Sequence, residues 1–171
     1  MKSRPEANEY APYYSGYIDL VPDGDIVHIL IEQVEETIQL LQGISEEQSL
    51  FRYASGKWSV KEVIGHVADT ERIMAYRLLC IARGETISLP GFDENPYVLN
   101  ASFDRLPIQA HIENLRAVRQ STVQLLKGLE SKGWTRIGSA NDVDVSVRAL
   151  AYIIAGHELH HCQLLKERYL I

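Results

Sequence analysis

The chain has 171 residues, 46% of them apolar, and a formal net charge of -6. That length fits one domain with one core, and the apolar share excludes whole-chain disorder. An acidic chain without a long Lys/Arg run lacks the footprint of a nucleic-acid binder or of a protein docked on anionic lipid, and no apolar run approaches the roughly 20 residues that span a bilayer.

Met1 to Tyr17 is polar and tyrosine-rich, without the apolar centre of a signal peptide. Residues 1–22 read as an N-terminal arm on a single domain of residues 1–171. The chain is therefore expected to be cytoplasmic, with Cys80 and Cys162 as reduced thiols.

The first helix starts after Pro22-Asp23-Gly24-Asp25, where either Asp can cap it. Val27, Leu30, Val34, Ile38 and Leu41 recur at helical steps, and Gly43 ends the run. The second helix opens on the capping box Ser59-Val60-Lys61-Glu62. Its apolar stripe is Val60, Val63, Val67, Met74, Leu78 and Ile81, and Arg83-Gly84 stops it. From Glu85 to Leu106 the chain reads as a long irregular connection, a length that is often functional.

The third helix begins near Pro107 and carries Ile112, Leu115, Val118, Leu125 and Leu129. Between Trp134 and Val145, the alternation Asp142-Val143-Asp144-Val145 beside Ser139-Ala140-Asn141 predicts a hairpin. The last helix runs from about Ser146 to Arg168. The fold class expected is mostly α: a four-helix bundle with a short β-hairpin before the last helix.

Chemistry concentrates in the histidines. His157 lies at the centre of the last helix's apolar stripe, among Leu150, Ile153, Ile154 and Leu164. His161 is one turn on, about 40° away, so the two imidazoles stand roughly 6 Å apart and can share a metal ion. The plain alternative is that each ring hydrogen-bonds a backbone carbonyl or a buried carboxylate. A third ligand would leave one position open. His66, about 60° from the centre of the second helix's stripe, is the best candidate, and His111 on the third helix competes. His28 reads as solvated or capping. His160, about 60° from His157 on the side away from His161, reads as a pocket or surface residue.

His157-Glu158-Leu159-His160-His161 also matches His-Glu-x-x-His, the zinc-protease pattern in which the Glu activates water. The pattern is short, and the chain offers little sheet edge to bind a peptide. Glu158, about 100° from His157, is a candidate base or simply an exposed Glu. Asp69, three residues after His66, can orient its ring. Glu71 and Arg72 read as surface. Arg77, near the stripe, reads first as a partner of a buried carboxylate and second as a contact for an anionic substrate. The segment Pro90 to Tyr97, with Asp93 at its centre, suits a lid or pocket wall. Trp58 either staples the second helix or lines the pocket. Cys162, about 140° from His157, reads as structural.

These residues together resemble the DinB-like superfamily, in particular its branch of metal-dependent hydrolases and bacillithiol S-transferases. The matching motifs are Trp58-Ser59-Val60-Lys61-Glu62-Val63-Ile64-Gly65-His66, Asp69-Thr70-Glu71-Arg72, Pro90-Gly91-Phe92-Asp93-Glu94-Asn95 and Gly156-His157-Glu158-Leu159-His160-His161. The tyrosine-rich stretch Tyr10 to Tyr17 extends the likeness over nearly the whole chain. The resemblance implies a four-helix bundle whose metal is held by one His of the second helix and a His-x-x-x-His pair of the last. Those roles fall on His66, His157 and His161. It further implies one divalent ion, Zn or Ni, and a small-molecule substrate, with a low-molecular-weight thiol among the candidates. A homodimer is an expectation by analogy. The competing expectation is a metal-stabilised binding or stress-response module without turnover.

Overall fold

The computed structural model describes residues 3–169. The long helices are α2 (Ile26–Leu41), α4 (Val60–Ala82), α6 (Ile108–Lys127) and α7 (Val147–Leu164), with α1 (Ser15–Leu20), α3 (Glu46–Ser49) and α5 (Glu94–Ala101) between them. One hairpin, β1 (Ile137–Ala140) paired antiparallel with β2 (Val143–Ser146), directly precedes α7. The mostly α fold and the placement of the hairpin follow the sequence reading.

The caps form where the sequence puts them. Asp25 accepts from the amides of Val27 and His28. Ser59 and Glu62 close a reciprocal capping box at α4. Each satisfies amide groups that the first helical turn leaves without partners. In the hairpin, Asn141 and Asp142 both take positive φ, 54° and 59°, the backbone of a tight two-residue turn. Gln163 and its neighbours continue to Leu164, after which the backbone widens into a π-helical turn, Leu165–Tyr169.

Three segments are more ordered than expected. Residues 85–106 are not a plain connection: they hold α5 and the 3₁₀ turn Phe103–Arg105. The short α3, capped by Ser45 and Gln48, has too few residues to show a stripe. The arm contains two 3₁₀ turns and α1, which lies on α7 and buries Ile18. Arg4 fixes the end of α1 by donating to the carbonyls of Ile18 and Val21 at 2.7 and 2.6 Å.

The contact between α1 and α7 is close because Gly156 has no side chain. A Cβ there would lie 2.0 Å from the Tyr17 carbonyl oxygen. The arm is tied again by Glu9, which accepts from Ser146 Oγ at 2.6 Å and from Arg148 Nε at 2.7 Å.

The interior divides into two apolar halves. Ile26, Leu30, Met74, Leu78, Leu126 and Ile153 belong to one. Val34, Ile38, Val63, Val67, Leu115 and Leu165 belong to the other. On all four long helices a buried polar residue separates the halves: Gln33, Glu71, Arg119 and Glu158. No helix among the described residues is long and apolar enough to cross a membrane.

Two outcomes are expected. Gly156→Ala must push α1 off α7, costing about 1–3 kcal/mol, so its melting temperature falls by about 3–10 °C. An unchanged melting temperature would show that the arm yields freely. The second concerns acid. The hydrogen bond from Arg148 holds the Glu9 carboxyl down at about 2, against burial and with help from Ser146. A depressed folded-state pKa stabilises the protein above the ordinary value of 4.5 and is lost as pH falls toward 2. Unfolding measured across that window should lose this component in Glu9→Gln, and a parallel pH profile in the variant would remove Glu9 from the account.

Candidate metal centre

His66 comes from the second turn of α4, and His157 and His161 from successive turns of α7. All three are buried. One nitrogen from each lies within 4.8 Å of the others. His66 Nε2 and His157 Nε2 face each other at 3.0 Å. The ring centroids stand 4.9 Å (His66 to His157), 5.0 Å (His66 to His161) and 4.6 Å (His157 to His161) apart.

Burial sets their charge state. It lowers His66 to about 4 and His161 to about 3, and drives His157 well below its ordinary value. For His157 the nearby His161 and His66 add to the effect. Three neutral imidazoles thus present lone pairs at neutral pH. Among the described residues His161 Nδ1 is buried without a hydrogen-bond partner. A divalent ion fits this group: nitrogen donors only, three in number, converging, and with a donor atom that nothing else satisfies.

The three rings form one wall of a cavity of about 540 Å³. Thr70, Met74 and Arg77 continue that wall along α4. Tyr13, Tyr14 and Tyr17 of the arm, Gly91, Phe92 and Glu94 of the segment before and into α5, and Asn141 and Val143 of the hairpin close it. Gly91 lies against the hairpin turn so tightly that a Cβ would sit 2.2 Å from Asn141 Oδ1. Five separate parts of the chain, α4, α7, the arm, the segment leading into α5 and the hairpin, therefore meet around one space.

Trp58 stands with its ring 4.7 Å from that of His66, so it lines the pocket. His160 is exposed yet also lines it, with Tyr17 edge-on to His157 and His160 at 5.5 and 5.4 Å. Asp69 does not orient His66. Its carboxylate takes Arg72 at 2.9 Å, and the group beside His66 Nδ1 is Thr70 Oγ1 at 3.4 Å. Asp93 is not a pocket carboxylate either. It caps α5 by accepting from the Asn95 amide, while its neighbours Phe92 and Glu94 face the cavity. His111 is buried elsewhere, its Nε2 2.9 Å from the Phe103 carbonyl oxygen. His28 pairs with Glu32 on the exposed side of α2. Cys162 is a free thiol beside Thr37, pushed up to about 11 by burial.

Glu158 is the largest correction. It is neither exposed nor in the pocket. Arg119 donates to it at 2.5 Å, Gln33 at 2.5 Å and Thr37 at 2.6 Å. Arg119 also grips Glu71 with two hydrogen bonds, of 2.9 and 2.8 Å, so Glu71 is buried rather than on the surface. With both oxygens occupied on the side of α7 turned into the bundle, Glu158 has no geometry for activating water beside His157. The zinc-protease pattern is therefore matched in letters only.

The sequence reading passed over the arm tyrosines as pocket residues. Their signal was compositional: aromatic residues in a polar segment that no helix stripe claimed.

Comparison with known proteins bears on the family and the fold. The family model described as DinB superfamily matches residues 29–165. Two proteins of Oceanobacillus iheyensis, each named "Putative metal-dependent hydrolase" (OB0413 and OB0782), are 24% and 26% identical. The matches cover 82% and 81% of this chain and 83% and 86% of theirs. Among solved structures, YfiT from Bacillus subtilis superposes with a TM-score of 0.71 at 15% identity, covering 97% of this chain and 91% of that one. It is described as a probable metal-dependent hydrolase with an unusual four-helix bundle topology.

Glu158→Gln separates a structural carboxylate from a base. Arg119 stays paired with Glu71 in this variant, so the expected loss is that of the charged hydrogen bonds to Glu158, about 1–3 kcal/mol of unfolding stability in denaturant titration. Metal content of the folded fraction should stay as in the unmodified protein. Unaltered stability with lost turnover would restore the base reading.

Proposed function

This chain belongs to the DinB superfamily, and we propose that it is a metal-dependent enzyme in which His66, His157 and His161 hold one divalent ion, Zn or Ni. The observation that carries this reading is the convergence of three buried, neutral imidazoles on one wall of a cavity large enough for a small substrate. Three nitrogen ligands leave a coordination position open, the mark of catalytic rather than structural zinc sites. The ion would supply Lewis acidity, lowering the pKa of a water or a thiol in that position.

The rest falls to the protein's own side chains. Trp58, Phe92 and the arm tyrosines shield the site from bulk water. Thr70 Oγ1 lies 3.4 Å from the outer nitrogen of His66, where it can accept from Nδ1–H while Nε2 faces the cluster.

Hydrolysis is the reaction the relatives' names support. A second reading, transfer of a low-molecular-weight thiol to an electrophile, is favoured by the position of Glu158. Hydrolysis has to take a proton from water without that carboxylate. A thiol ordinarily ionises near 8.5 and needs much less assistance.

Elemental analysis tests the shared premise. About one Zn or Ni per chain is expected after reconstitution. His66→Ala and His157→Ala should both fall to background, and chelation should lower the melting temperature of the unmodified protein. Protein that takes up neither metal overturns the reading. Between the two chemistries, Co²⁺-loaded protein given a small thiol should develop a sulfur-to-metal charge-transfer band if thiol transfer is right. An unchanged spectrum leaves hydrolysis.

A further inference from the structure

Arg77 is only 4% exposed, yet among the described residues it forms no salt bridge. Its Nη2 donates to the Pro90 carbonyl oxygen at 2.6 Å, its Nη1 lies 3.6 Å from Met74 Sδ, and the guanidinium stands 5.8 Å from the centre of the Phe92 ring. Buried charges are ordinarily paired with an opposite charge, because desolvation costs more than one carbonyl and a cation–π contact over a ring face return. Arg119, equally buried, takes two carboxylates in the same protein. Arg77 instead lines the cavity that holds the three histidines.

We propose that Arg77 anchors a carboxylate borne by the substrate, at the far end of the cavity from the histidine cluster. Helix geometry places the two ends. His66 and Arg77 are 11 positions apart, which brings them within about 20° of one face and about 16 Å apart along the axis. Side chains on a helix lean toward its N-terminus, so the guanidinium reaches back along the cavity toward His66. Between the two ends lie Thr70, Met74 and Ile153, a largely apolar middle.

The chemistry of the anchor favours a flat monoanion. A guanidinium binds a carboxylate through two parallel hydrogen bonds. Tyr14 borders the same space. Burial raises its phenol pKa while Arg77 opposes the rise, so at neutral pH the hydroxyl remains a donor. One fixed cation and one neutral donor suit a carboxylate better than a phosphate dianion. Glu94, the carboxylate on the cavity wall, has the wrong sign to serve; its charge acts on Tyr17, whose ring stands against His157, and so it disfavours a carboxylate at the histidine end. The substrate class is therefore a small molecule with its reacting group at one end and a carboxylate at the other, joined by a short apolar chain. The position of the reacting end rests on the metal reading above; the anion site does not.

Calorimetric binding distinguishes the two. The probes are hexanoate and hexanol for metal-free protein, and 6-mercaptohexanoate and 6-mercaptohexanol for metal-loaded protein. In each pair the acid should bind about tenfold more tightly than the alcohol. Arg77→Met should bring each pair within about twofold, and Arg77→Lys should recover only part of the preference. Circular dichroism establishes that both variants fold. If they do not, the acid-to-alcohol ratio in the unmodified protein still decides. A ratio near one in both forms, or a preference that survives Arg77→Met, overturns the inference. A preference seen in metal-free protein that never takes up metal leaves the anion site standing and removes the metal reading instead.

Discussion

The arrangement of the bundle depends on one buried guanidinium. Arg119 from α6 holds Glu71 of α4 and Glu158 of α7, and donates to the Leu30 carbonyl of α2 at 2.7 Å. All four long helices thus meet at a single side chain. An apolar core tolerates sliding by a turn, since one Leu replaces another. A buried charge does not, because each slipped register leaves an unpaired ion. Gln33 and Thr37 complete the shell of Glu158, so the layer is polar but well supplied with partners. The two apolar halves on either side contribute the burial, and the layer selects which burial occurs.

The geometry of the histidine cluster follows from that constraint. On α7, consecutive residues diverge by about 100°. Glu158 directed into the four-helix layer leaves His157 and His161 directed toward α4 and the cavity. On α4, Glu71 facing Arg119 fixes the rotation that brings His66 to the same wall. The histidines are positioned by partners on the neighbouring face of their own helices, well before any ligand arrives. This is the supporting shell that holds a site to the tolerance chemistry requires.

Much of this was legible in order along the chain. Caps at Asp25 and Ser59, stripes on four helices and the hairpin turn at Asn141 each have a local cause, so local sequence predicts them. The His66, His157 and His161 grouping was legible too, because helical periodicity converts spacing into direction. Glu158 was misread for the complementary reason. Periodicity says that it leaves the His157 face, but not what waits on the face it joins. Glu71 and Arg119 sit within apolar stripes, four residues from Val67 and Leu115 respectively. Opposite charges at such positions on two helices are the signal that was present and unused. Asp69 and Asp93 failed as site residues because a nearer local partner, Arg72 or the first turn of α5, claims each carboxylate. The role of the arm depends on where residues distant in sequence come to lie, and Tyr17 meets His157 only after folding.

The electrostatics of the cavity run against the acidic balance of the chain as a whole. The chain carries a formal charge of -6, but the carboxylates on the helices that carry the histidines are engaged away from the cavity: Glu71 and Glu158 share Arg119, and Asp69 pairs with Arg72. Among the described residues, what faces the cavity is the three buried neutral imidazoles, His160, the phenols of the arm and the guanidinium of Arg77, with Glu94 the exception. Three neutral ligands would leave the full charge of a divalent ion uncompensated by its own first shell. In a space walled by Trp58, Phe92 and Met74 such a charge is weakly screened, so its field extends along the cavity. A thiolate, a hydroxide or a carboxylate gains from that field, whereas a cationic substrate is repelled from both ends. The Arg119 layer therefore does two things with the same bonds: it fixes the helices, and it keeps negative charge out of the pocket.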